Sequence, residues 1–128
     1  MGNDYSLKPV RAAAIVGTSA MVAGTVLTNS ALEDEIIILA DFTKGSLTSL
    51  QIQIEFSPDN STWYQEVGTA YSGGTTTCVA NVYSLSATGK YRITPIKIKD
   101  RYIRISALGV GNGTGSSLKI DAIIGQDV

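Results

Sequence analysis

Leu50, Ile52, Ile54 and Phe56 alternate strictly with Gln51, Gln53, Glu55 and Ser57. Among regular structures a side-chain period of two belongs to the β-strand, so this stretch turns an apolar face to a core and a polar face outward. Ser57-Pro58-Asp59-Asn60-Ser61 follows directly. Proline presets φ and an Asp or Asn side chain bonds its own backbone, so the chain reverses there. Trp63 and Tyr64 reopen an apolar pattern. Residues 50–65 therefore predict strand, turn and strand, with the single tryptophan just past the turn.

The rest of the chain adds strands and no helix. Residues 1–11 are polar and carry Pro9, which favours an extended tail. From Ala12 to Leu32 no residue is charged, and Lys8 and Arg11 precede this segment while Glu33, Asp34 and Glu35 follow it. That is the outline of a signal peptide or membrane span, but Gly17, Thr18, Ser19, Gly24, Thr25, Thr28, Asn29 and Ser30 interrupt it. The reading adopted is a small-residue segment that starts the sheet, with a strand over residues 21–28. IIILADF, residues 36–42, reads as a buried strand, closed by the turn Thr43-Lys44-Gly45-Ser46. Further strands are expected over 63–67, 75–82, 90–98, 101–108 and 117–124, with loops at Ser72-Gly73-Gly74, 84–89 and 109–115. In KYRITPIKI the alternation changes phase at Pro95, which signals a bulge, a strand break or a change of sheet. About eight strands with short turns and no crossover helix predict an all-β fold, an antiparallel β-sandwich or jelly roll. The expected division is an extended amino-terminal arm over residues 1–20 and one sandwich domain over residues 21–128.

Composition narrows the function. At 128 residues and 44% hydrophobic content the chain holds one domain with a real core. Charged residues make up 16%, below the roughly 25% usual in soluble domains, which suits a surface partly covered by other protein. A net charge of −1 argues against a general nucleic-acid binder. Before position 90 the basic residues are Lys8, Arg11 and Lys44, whereas Lys90, Arg92, Lys97, Lys99, Arg101 and Arg104 crowd together afterwards. Their largely alternate spacing gathers charge on a strand face, where it faces solvent or meets an acidic surface such as Glu33, Asp34 and Glu35 of a neighbouring copy.

The absence of histidine removes Ser-His-Asp and Cys-His nucleophilic chemistry and the commonest zinc ligand. Cys78, the lone cysteine, forms no intrachain disulfide and reads as a buried inert thiol. Glu55 and Glu66 flank the central turn, but outward strand carboxylates are ordinarily only solvated, so no catalytic residue is assigned. Asp59, Asn60 and Ser61 offer oxygens to calcium, yet an Asx turn uses the same atoms without a metal. Residues 109–115 are glycine-rich but precede a strand and lack Gly-Lys-Ser/Thr, so they read as a loop tip and not a phosphate cradle. No metal and no cofactor is expected. Trp63, Tyr64 and Tyr71 are candidates for an aromatic sugar platform, against the simpler role of Trp63 as an anchor of its hairpin.

The segments FTKGSLTSLQIQIEFSPDNSTWYQE, PIKIKDRYIRISALG and TGSSLKIDAIIG resemble small jelly-roll structural proteins of tailed bacteriophages, those that decorate or cement the head, over roughly residues 35–125. IEFSPDNSTWYQ and RYIRISA are also similar to discoidin-like and carbohydrate-binding jelly rolls. The phage resemblance implies a non-enzymatic virion protein on the capsid exterior, made in the host cytoplasm. It implies binding to the major capsid protein lattice and to itself, commonly as a trimer, with no nucleic acid or membrane partner. Lys8, Arg11, the basic set from Lys90 to Arg104 and Glu33, Asp34 and Glu35 are the expected partner-binding residues. The second resemblance implies a glycan-binding module built on Trp63 and Tyr64.

Overall fold

The computed structural model describes residues 6–29, 35–65, 67–80 and 82–125. Its described residues form strands, turns and loops, and every strand pairing is antiparallel. One sheet runs in the order β1 (Ser6–Ala14), β12 (Ser117–Gly125), β4 (Glu35–Thr43), β10 (Gly89–Lys97). The second centres on β11 (Tyr102–Gly111) and β5 (Leu47–Ser57). The short β2 (Val22–Ala23) and β3 (Leu27–Thr28) flank β11, and β6 (Tyr64–Gln65) and β9 (Val82–Leu85) flank β5. A hairpin of β7 (Val67–Ser72) and β8 (Thr75–Ala80) forms a third sheet of two strands.

The two larger sheets make an antiparallel β-sandwich around one core. Leu50, Ile52, Ile54 and Phe56 of β5 face Ile36, Ile38, Ala40 and Phe42 of β4, with Ile103 and Ile105 of β11 and Leu118, Ile120 and Ile124 of β12 completing the layer. Burying each large aliphatic side chain contributes about 1.5–3 kcal/mol, which is why the period-two pattern dictates register so strongly. The expected strand from Leu50 to Phe56 and its hairpin partner at Tyr64–Gln65 are in place, as Glu55 and Phe56 pair with Gln65 and Tyr64. The phase change at Pro95 is a bulge. Ile93 pairs with Ile38 and Ile96 with Ile36, so three steps on β10 cover two on β4, and both isoleucines stay inward.

Three expectations are corrected. Within the segment expected as an arm, Ser6–Ala14 is a strand of the sandwich, paired along β12, with Val10 and Val16 in the core. Pro9 is compatible with this because β1 is an edge strand whose register shifts beside it. Residues 1–5 lie outside the described set. Second, the described residues hold twelve strands where about eight were expected. The segment 21–28 divides at Gly24, where a Cβ would come within 2.6 Å of the Val10 carbonyl oxygen, and 63–85 divides into β6, a hairpin and β9. Third, β4 is not covered on both faces: Ile36, Ile38, Ala40 and Phe42 are buried, while Glu35, Ile37 and Leu39 face outward half-buried. Among the described residues no helix is long and apolar enough to cross a membrane.

Candidate interaction surface

Because β4 is central in its sheet, its outward residues sit in the middle of the outer face, and the pairing register lines up their neighbours in rows. Lys90, Asp41 and Lys119 form one row. Arg92, Leu39, Asp121 and Pro9 form the next. Ile37, Ile123 and Leu7 make an aliphatic row, with Leu7 63% exposed. Lys97 and Glu35 pair at the far end.

Two ion pairs hold charge in place on this face: Lys90 Nζ lies 3.1 Å from Asp41 Oδ2, and Lys119 Nζ lies 3.6 Å from Asp121 Oδ2. The first is exposed and the second partly so, with Asp121 the more covered member, and the net contribution of such surface pairs to stability is small. They line a depression of about 370 Å³ together with Leu39 and Arg92. Arg92 is exposed and forms no ion pair with any described residue. The face thus combines half-buried Ile37, Leu39 and Ile123, exposed Leu7, charges paired within the same sheet, and the Arg92 guanidinium, which has no ion pair among the described residues.

The basic set from Lys90 to Arg104 is not one strand face. Lys90, Arg92 and Lys97 lie outward on β10, and Arg104 lies on β11, which belongs to the opposite sheet. Lys99 and Arg101 are exposed in the connection between them, and the Arg101 guanidinium sits 5.9 Å from the Tyr102 ring centre. The division follows from topology: the chain changes sheets between β10 and β11. Of the acidic set, Glu35 is the register partner of Lys97 in the same chain. Glu33 and Asp34 lie outside the described residues.

Lys8 is exposed on β1 opposite Ala122. Arg11 has a different position from that of a surface contact. Its Nε donates to the Leu118 carbonyl at 3.0 Å, and its Nη2 donates to the carbonyls of Ala14 at 3.2 Å and Ile15 at 2.7 Å. The side chain therefore fastens the irregular end of β1 to β12, and partial burial pushes its pKa below the ordinary arginine value.

The aromatic candidates do not assemble into one platform. The Trp63 ring is stacked against the Arg104 guanidinium, 4.7 Å from carbon to ring centre, on the outer face of the second sheet. Tyr64 pairs with the inward residue Phe56, so it points away from that face, and Tyr71 lies on the β7–β8 hairpin. Glu55 accepts a hydrogen bond from Arg104 Nε at 2.9 Å; Glu66 lies outside the described residues. Cys78 stands opposite Thr69 on β8, and its side chain is not among those described.

The turn after β5 is an Asx turn. Asp59 Oδ1 accepts from the backbone N–H of Thr62 at 2.8 Å and Ser61 at 2.9 Å and from the Ser57 hydroxyl at 3.0 Å. Asn60 takes the left-handed conformation between them, with φ 59°. The glycine-rich loop between β11 and β12 is a clasp at one end of the sandwich. Ser46 N–H donates to the Thr114 carbonyl at 2.9 Å, and Val16 N–H to the Ser116 hydroxyl at 3.1 Å. At Gly45 (φ 56°) a Cβ would lie 2.6 Å from the Ser116 nitrogen, so only glycine allows the two loops to meet.

Sequence reasoning missed Ile37, Leu39, Ile123 and Leu7 as a surface. The available signal was that IIILADF and DAII stay apolar through both phases of the alternation, which a one-sided strand does not need.

No protein family and no curated protein matches the chain. The crystal structure of the SPBc2 prophage-derived protein YomS is similar in fold, at 13% sequence identity and a TM-score of 0.51, over 98% of this chain and 96% of that one.

Proposed function

We propose that the chain is a non-enzymatic structural protein of a phage virion, a decoration or cement protein that binds the exterior of the capsid lattice and associates with itself, a trimer being the favoured assembly. The observation that carries this reading is the outer face of the sheet β1-β12-β4-β10. Its Ile37–Ile123–Leu7 row and Leu39 lie among ion-paired charges and Arg92, an apolar patch with a polar surround of the kind that protein interfaces use. The fold likeness to a prophage-encoded protein along nearly the whole of both chains is in keeping with a phage source.

The mechanism is additive. Each copy lays this outer face on the shell, and self-association multiplies weak contacts into firm occupancy across capsomer junctions, which opposes expansion. Arg92, which forms no ion pair with a described carboxylate, is the residue suited to an acidic group on the shell. Manufacture in the host cytoplasm and residence on the virion exterior follow from this reading.

The test is co-sedimentation with empty shells assembled from the major capsid protein encoded in the same genome. Saturable binding is expected for the full chain, with strong loss in Leu39→Asp and Arg92→Glu variants whose circular dichroism is unchanged. Absence of wild-type chain from the shell pellet, or equal occupancy by both variants, would overturn the reading.

A further inference from the structure

The hairpin β7–β8 belongs to neither sheet of the sandwich. Val67 pairs with Ala80, Thr69 with Cys78, Tyr71 with Thr76 and Ser72 with Thr75, and among the described residues no third strand joins them. Gly73 and Gly74 form its tip, with φ of 59° and 82°. Two successive positive φ values give the turn that matches the twist of a two-residue hairpin, and only glycine adopts them freely. Tyr71, Ser72, Thr75, Thr76 and Thr77 are all exposed, Tyr71 at 74%.

A ribbon of two strands is marginal by itself in water; a third strand is the usual remedy. Among the described residues neither long edge of the ribbon pairs with another strand, so its outward backbone N–H and C=O groups are a template for one. The edge strand β10 is guarded against such pairing by Lys90, Arg92 and Lys97 and by Pro95. The hairpin has no such guard: from Val67 to Gly89 there is no charged residue and no proline, and Thr75, Thr76 and Thr77 favour extended pairing.

We propose that this hairpin is a self-association element, in which the β7–β8 ribbon of one copy adds edge to edge, antiparallel, to the ribbon of a second copy. Charge identifies the occupant. An uncharged edge does not repel its own duplicate and offers nothing to select a charged stranger, the reverse of β10. The threonine run supports the same partner, because threonines facing threonines across an antiparallel pair attract one another. Tyr71 adds a rigid ring at the joint, with apolar area and a hydroxyl to share. The inference gives the self-association part of the proposed function a first contact: an edge meeting its own duplicate is two-fold, so it joins copies in pairs and closure to a trimer needs a second surface. It stands on the hairpin alone, so failure of shell binding leaves it intact.

Light scattering and sedimentation of the full chain test it. The wild type is expected to show a mass at least twice that of one chain. A Thr75→Lys, Thr77→Lys double variant is expected to be monomeric at the same concentration with its β-sheet circular dichroism retained. If that variant does not fold, Thr76→Cys in a Cys78→Ser background is oxidised mildly. It should form a covalent dimer, while Thr48→Cys in the same background, exposed at the start of β5, should not. A strictly monomeric wild type, an oligomer unaffected by the two lysines, or no preference of Thr76→Cys over Thr48→Cys for cross-linking would each overturn the proposal.

Discussion

Arg104 Nε lies 2.9 Å from Glu55 Oε1, joining the two central strands of one sheet by a pair whose side chains are 31% and 13% exposed, respectively. The Trp63 ring covers the same guanidinium at 4.7 Å. One side chain thus ties together β11, β5 and the turn that leads into β6, and the indole face that a sugar would need is turned to a cation. Trp63→Ala should lower stability by about 1–2 kcal/mol, the range of a partly desolvated cation–π contact with its lost packing. Urea unfolding measures this. Trp63→Phe should retain part of the loss, and an unchanged midpoint for Trp63→Ala would remove the structural role.

Neighbouring positions on β4 should differ sharply. Ile38 is fully buried between the sheets, so Ile38→Ala should cost about 2–5 kcal/mol through lost burial and the cavity left behind. Leu39 points outward and is half-buried, and Leu39→Ala should cost about 1 kcal/mol or less. Comparable midpoint shifts for the two variants in denaturant titrations would mean that something covers the outer face as fully as the core.

This contrast marks how far the sequence carries. Leu50–Phe56 and Leu118–Ile124 were readable because each buries one face and wets the other, so a period of two names the core residues directly. The bulge at Pro95 was readable because the phase changes there. IIILADF was harder: apolar residues in both phases look alike whether the second face meets a helix, a partner or nothing. The distribution of Lys90, Arg92 and Arg104 over two sheets was not legible, since alternation tells which side of a strand a residue occupies but not which sheet the strand joins. Arg11 was beyond local reading altogether, because the Leu118 carbonyl it bonds is 107 positions away. Of the candidate surface, Lys90 and Arg92 were nameable in advance, while Leu39, Asp41 and Asp121 needed the pairing register.

Asp59 should govern part of the acid sensitivity. Its carboxylate is held below the usual range chiefly by the Thr62 N–H, then by the Ser61 N–H and the Ser57 hydroxyl. A folded-state pKa below the unfolded one means that the contribution is fully present above the ordinary carboxylate value, about 4, and is lost as pH falls through the depressed value. Thermal melts of wild type and Asp59→Asn from neutral pH downward should therefore converge in acid. A constant gap between the two curves across the carboxylate range would show that ionisation of Asp59 is not what the turn relies on.

Arg11 provides the sharpest separation between a partner contact and a structural one. Its three hydrogen bonds all go to backbone carbonyls of its own chain, at Leu118, Ala14 and Ile15. An ammonium on a flexible stem cannot reproduce that fork. Arg11→Lys and Arg11→Met should both destabilise the fold, the latter by about 1–3 kcal/mol, because carbonyls at the irregular end of β1 lose a charged donor. Hydrogen exchange should report the change first in amides of β1 and β12 near Leu118, leaving β5 and β11 protected. If Arg11 instead acted on a partner, Arg11→Met would leave exchange and unfolding of the isolated chain unchanged and alter binding alone.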